Sequence, residues 1–89
     1  MGRLQDKVAI VTGAGQGLGR ISARLFADEG ARVVVADVNP TTAAETAASI
    51  NAGGGTAIEI VGDVSQAEYA KRLADDTMAR FGRIDILVN

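Results

Sequence analysis

Few side chains in this 89-residue sequence are equipped for bond-making chemistry. It has no Cys, which removes disulfides and thiolate metal sites, and no His, which removes the usual neutral-pH base and the commonest metal ligand. The single Tyr, Tyr69, is followed four places on by Leu73, the spacing of an i,i+4 packing contact on a helix. Glu68, Asp75 and Asp76 read as a solvated helix face, not as paired catalytic acids. What remains is a site made of backbone. Thr12-Gly13-Ala14-Gly15-Gln16-Gly17-Leu18-Gly19 follows the apolar run Val8-Ala9-Ile10-Val11. It leads into Leu18, Ile21, Ser22, Leu25 and Phe26, spaced as the inner face of a helix. A strand, a glycine turn and a helix together aim unpaired first-turn N–H groups and the positive end of the helix dipole at an anion. No Ser, Asp or Asn stands where a side chain would cap this helix. The expected cap is therefore a bound anion, most simply a pyrophosphate.

Each glycine has its own task. Gly13 leaves the strand with backbone angles open to a residue without Cβ. Gly17 lets the main chain approach the ligand, and Gly19 lets the helix pack closely on the sheet. Asp37 ends the second apolar run, Arg32-Val33-Val34-Val35-Ala36-Asp37, where an acid accepts hydrogen bonds from ribose hydroxyls and repels an added 2′-phosphate. The common G-x-G-x-x-G spacing is not met, because Leu18 stands where its last glycine belongs. A P-loop is excluded for want of Gly-Lys-Ser/Thr.

The spacing present, T-G-x-x-x-G-x-G over Thr12–Gly19, resembles the cofactor turn of the short-chain dehydrogenase/reductase family. The resemblance covers all 89 residues but only the first part of a family domain, ending at its fourth strand. It implies an NAD(H)-binding N-terminal portion of an oxidoreductase with a Rossmann-like fold. In the family, NADP users often carry a base just before the second motif glycine or just after the strand-end acid; Gln16 and Val38 stand there, so NAD is expected over NADP. By the same resemblance Asp63 meets the adenine amino group, Val64 backs the ring, and Asn89 matches the first residue of an N-N-A-G segment. The family's catalytic Ser, Tyr and Lys, the last two in Y-x-x-x-K, have no counterpart in these residues. An alcohol or ketone substrate, and a homo-oligomer, are thus implied only for a complete family member. Two other readings remain. One is a stand-alone nucleotide-binding module. The other is a fragment of an S-adenosylmethionine-dependent methyltransferase, to whose G-x-G-x-G Gly13, Gly15 and Gly17 conform, but with Val11 where an acid is required.

The elements that must hold these residues alternate along the chain. Lys7–Thr12 is the first strand, and a helix runs from Gly17 to about Glu29, stopped by Gly30. Arg32–Asp37 is the second strand, its β-branched run suited to a parallel sheet covered on both faces. Asn39-Pro40, as cap and first helical residue, opens an Ala-rich second helix that closes near Asn51. Gly53-Gly54-Gly55 is a connector to the third strand, Thr56–Val61. Ser65-Gln66-Ala67-Glu68 has the form of a capping box and opens a helix to Phe81, with Ala70, Leu73, Ala74, Thr77, Met78 and Phe81 as its core stripe. Ile84–Asn89 is the fourth strand. Right-handed crossovers then give an α/β, doubly wound parallel sheet of order 3-2-1-4 with three helices, whose crevice opens beside strand 1 at the glycine turn.

Composition agrees. A hydrophobic share of 47% suits a globular chain, with a core of Val, Ile, Leu and Ala because aromatics are only 3%. Net charge is −2 with the signs interspersed, so no basic stripe invites nucleic acid. No apolar run approaches membrane-spanning length, and Met1–Asp6 has no signal core. A reducing, cytoplasmic setting is expected.

Overall fold

The computed structural model describes residues 2–89. Four strands, β1 (Val8–Thr12), β2 (Arg32–Asp37), β3 (Thr56–Val61) and β4 (Ile86–Val88), alternate with three helices, α1 (Gly17–Asp28), α2 (Pro40–Ala52) and α3 (Ala67–Phe81). The sheet is parallel throughout, in the expected order β3-β2-β1-β4. Alternate residues of the strands serve opposite faces. Ala9, Val11, Val33 and Val35 join Ala23 of α1 and Ala43, Ala47 and Ile50 of α2 in one core. Ile10, Val34 and Ala36 meet Tyr69 and Leu73 of α3 in the other. β2 is buried on both faces, which is why its run is unbroken Val and Ala.

Two local expectations hold closely. The Asn39 side chain accepts from the N–H groups of Thr41 and Thr42, with Pro40 at the start of α2. Gly30 takes a left-handed φ of 97° just past α1.

Other expectations are corrected. The inner face of α1 is not Leu18, Ile21 and Leu25, which are 82%, 55% and 59% exposed. Phe26 packs on the core as expected, but with Gly19, Ala23 and Ala27 as its inward-facing companions, the helix being rotated by one residue. The cause is Gly19, which lies so close to the backbone of Gly13 that the helix follows a line of small residues. On α3 the buried positions are Tyr69, Leu73 and Thr77, whereas Ala70 and Met78 are exposed. The capping box does not form. Ser65 instead donates its N–H to Asp63 Oδ1 at 2.9 Å, and α3 starts two residues later behind an extended Gln66 that makes no side-chain cap. β4 is regular only over Ile86–Val88, shorter than expected.

Candidate functional site

The glycine turn is assembled from the end of β1 and the start of α1. Gly13 and Gly17 have φ of 65° and 62°, left-handed angles that a side chain resists. A Cβ at either would meet nothing within 4 Å, so both face open space. A Cβ at Gly19 would lie 2.2 Å from Gly13 O, the close approach expected of it. Gln16 is extended and leaves α1 without a side-chain cap, and the first turn of α1 holds no acid. The N–H groups of that turn thus keep their capacity to bind an anion.

The Asp37 carboxylate lies directly behind the turn. Its Oδ2 accepts from Gly15 N–H at 2.8 Å and its Oδ1 from Asn39 N–H at 3.0 Å. A carboxylate offers about four acceptor sites, so two remain for a ligand. Val38, next in the chain, is exposed, as is Gln16, and neither carries charge. Gly15 itself is held at two atoms, by Asp37 at its N–H and by the buried Thr46 hydroxyl at its carbonyl, and Thr42 Oγ1 leaves no room beside it for a Cβ.

At the next strand end, Asp63 is exposed, and its carboxyl is held below its ordinary range, chiefly by the Ser65 N–H and then by the Ser65 side chain. Gly62 before it lies under the Tyr69 ring, where a Cβ would come within 2.1 Å of the ring. Tyr69 reaches across to β3 and donates its hydroxyl to Ile60 O, a contact that its spacing to Leu73 does not foreshadow. Burial, above all, raises the Tyr69 pKa. On the α3 side, Thr12, Val64 and Asn89 share an apolar depression with Ile84 and Leu87. Thr12 Oγ1 donates to Val88 O at 3.1 Å and lies 3.2 Å from Asn89 Oδ1, tying β4 to β1 at the mouth of the turn.

Of the residues singled out from sequence, Gly13, Gly17, Gly19 and Asp37 thus surround one turn, and Val64 and Asn89 meet beside Thr12. Leu18 projects into solvent from the first turn of α1. Asp63 makes no hydrogen bond to the glycine turn. Thr42 and Thr46 were not legible as site residues. The available signal was a pair of Thr four apart on a helix otherwise lined by Ala43, Ala47 and Ile50. No group of three or more His, Asp or Glu able to hold a metal occurs among the described residues.

The family model described as short chain dehydrogenase matches residues 7–89. A short chain dehydrogenase/reductase of Aspergillus oryzae is 51% identical over 97% of this chain and 33% of its own length. An uncharacterised oxidoreductase of Bacillus subtilis is 44% identical over 100% of this chain and 33% of its own. Among solved structures, a hydroxysteroid dehydrogenase of Escherichia coli superposes with a TM-score of 0.95 at 41% identity, over 98% of this chain and 37% of that one. The chain therefore spans about a third of the length of these curated relatives. The matches give the methyltransferase and stand-alone-module readings no support.

Proposed function

Because the chain belongs to the short-chain dehydrogenase family, we propose that it binds NAD(H) at the glycine turn, as the cofactor-binding N-terminal part of an oxidoreductase. One observation carries the reading: α1 begins without a side-chain cap behind open left-handed glycines, with Asp37 hydrogen-bonded into the same turn. The pyrophosphate takes the place of the cap on the first-turn N–H groups. The remaining acceptor capacity of Asp37 takes the adenosine ribose hydroxyls. Asp63 and Val64 receive the adenine, and Asn89 lies beside Thr12 at the end of β4. When bound, the dinucleotide supplies a hydride acceptor or donor. The whole protein would use it on the alcohol or carbonyl carbon of a small molecule.

Asp37 favours NAD over NADP. A 2′-phosphate beside this carboxylate sets like charges together, and neither Gln16 nor Val38 offers a compensating cation. Calorimetric titration with both cofactors tests this: NAD is expected to bind at least about tenfold more tightly, a difference of roughly 1.4 kcal/mol. Val38→Arg is expected to narrow the gap. Equal affinity of the unmodified chain for both would overturn the role of Asp37.

A further inference from the structure

The glycine turn is held at its middle by α2, a helix that a dinucleotide at the mouth of the turn need not touch. Thr46 is fully buried, and its hydroxyl finds Gly15 O at 3.3 Å. That is long for a hydroxyl donor, but Gly15 is held at its N–H as well and is closely walled by Thr42. Its N–H goes to Asp37 Oδ2 at 2.8 Å, and Thr42 Oγ1 lies 2.5 Å from where a Gly15 Cβ would stand. Thr42 and Thr46 are four apart and so share one face of α2. Their hydroxyls are the polar atoms on a face otherwise lined by Ala43, Ala47 and Ile50. A buried Thr in a helix, at a place where Val or Ala would pack, spends a polar group on one backbone carbonyl.

We propose that Thr46 is a positioning residue of the dinucleotide site: through Gly15 O it fixes the plane of the peptide between Gly15 and Gln16. That peptide leads directly into the N–H groups that open α1. If it rotates, those groups leave the line on which a pyrophosphate would meet them. Thr46 touches no ligand itself. The inference rests on the proposed NAD binding, and its test has one arm that requires no ligand.

Thr46→Val keeps the shape and removes the hydroxyl; Thr46→Ser keeps the hydroxyl and removes a methyl. Calorimetry with NAD is expected to show about tenfold weaker binding for Thr46→Val. For Thr46→Ser, affinity should lie within about twofold of the parent even where its melting temperature falls, since the lost methyl affects packing alone. A residue that merely supports the fold would give the reverse order, with affinity following melting temperature. The second arm follows amide hydrogen exchange at Gly15 in the isotope-labelled chain without ligand, because a Gly15–Gln16 peptide released at its carbonyl swings the Gly15 N–H off Asp37 Oδ2. Thr46→Val should speed it about tenfold, and Thr46→Ser should leave it near the parent rate. If the parent binds no NAD, the functional reading fails and the exchange arm still decides the role of Thr46. Unchanged Gly15 exchange in Thr46→Val, or NAD affinity equal to the parent's, would overturn the proposal.

Discussion

Gly17 and Gly19 stand two places apart and are glycine for different reasons. At Gly17 the demand is the left-handed φ of 62°, and the space where a Cβ would go is open. At Gly19 the demand is room, because a Cβ would lie 2.2 Å from Gly13 O. Alanine at the two positions should therefore separate binding from folding. Gly17→Ala pays roughly 1–2 kcal/mol for its backbone angle, a fall of about 5–10 °C in melting temperature. Its methyl faces the space assigned to the pyrophosphate, so NAD affinity should drop by more than about tenfold. Gly19→Ala forces backbone apart and should cost about 3 kcal/mol or more, enough to threaten a domain with only about 5–15 kcal/mol in total. Thermal melts and NAD titrations on both variants check this; Gly17→Ala binding like the parent would remove the turn as the phosphate site.

The elements hold these residues through polar contacts at both ends of the β1–β4 pair. At the mouth, Thr12 reaches Val88 O. At the other end Asp85 donates its backbone N–H to Val8 O, and its Oδ2 accepts from Val8 N–H at 2.9 Å. Arg83 grips both oxygens of Asp85, at 2.8 and 2.9 Å. Arg83 first, and the Val8 N–H next, hold the Asp85 carboxyl below its ordinary 3.8. A folded-state pKa below the unfolded value means that the contribution is fully present above the unfolded value. It is lost as pH falls below about 4 through the folded pKa. Asp85→Asn should therefore be less stable than the parent near neutral pH, with the difference shrinking in denaturant melts taken below about pH 4. A constant difference down to low pH would show that the charge is irrelevant there. Much at this scale was legible in the chain: the Asn39-Pro40 cap, the β-branched β2 and the sheet order follow from local chemistry and handedness. The inner faces of α1 and α3 were not. Leu18, Ile21 and Leu25 have the right period, but the contact of Gly19 with Gly13 sets the rotation of α1, and periodicity cannot register a backbone contact between residues six apart. Likewise Ser65 and Glu68 match a capping box, yet Asp63, two residues earlier, captures the Ser65 N–H first. Thr46 was hidden because its partner is a carbonyl, which no sequence pattern displays.

Across the whole molecule, apolar side chains are exposed at two separate places, β4 and α1. The strand lies at an edge of the sheet with Leu87 60% exposed, and Leu18, Ile21 and Leu25 form an exposed ridge along α1. An edge with free N–H and C=O groups and an exposed Leu invites pairing with another chain. The 89-residue chain is expected to self-associate as its concentration rises in a sedimentation series, and a monomer at every concentration would contradict that. No turnover of alcohols or ketones is expected from the same chain. Tyr69 spends its hydroxyl on Ile60 O, burial raises its pKa, and no Lys stands four places on to lower it. Cofactor-dependent absorbance change above a heat-killed control would refute this. No helix among the described residues is long and apolar enough to cross a membrane. The claim on which the rest depends is that Thr12–Gly19 is the phosphate-binding turn of a dinucleotide site. The most direct test is titration of the isotope-labelled chain with NAD, following backbone amide signals residue by residue. The amides of Gly13–Gly19 should shift most and in a saturable way, with Asp37 and Val38 moving with NAD but not with inorganic pyrophosphate. Saturating NAD that leaves the turn amides in place, or moves signals elsewhere instead, would contradict the account.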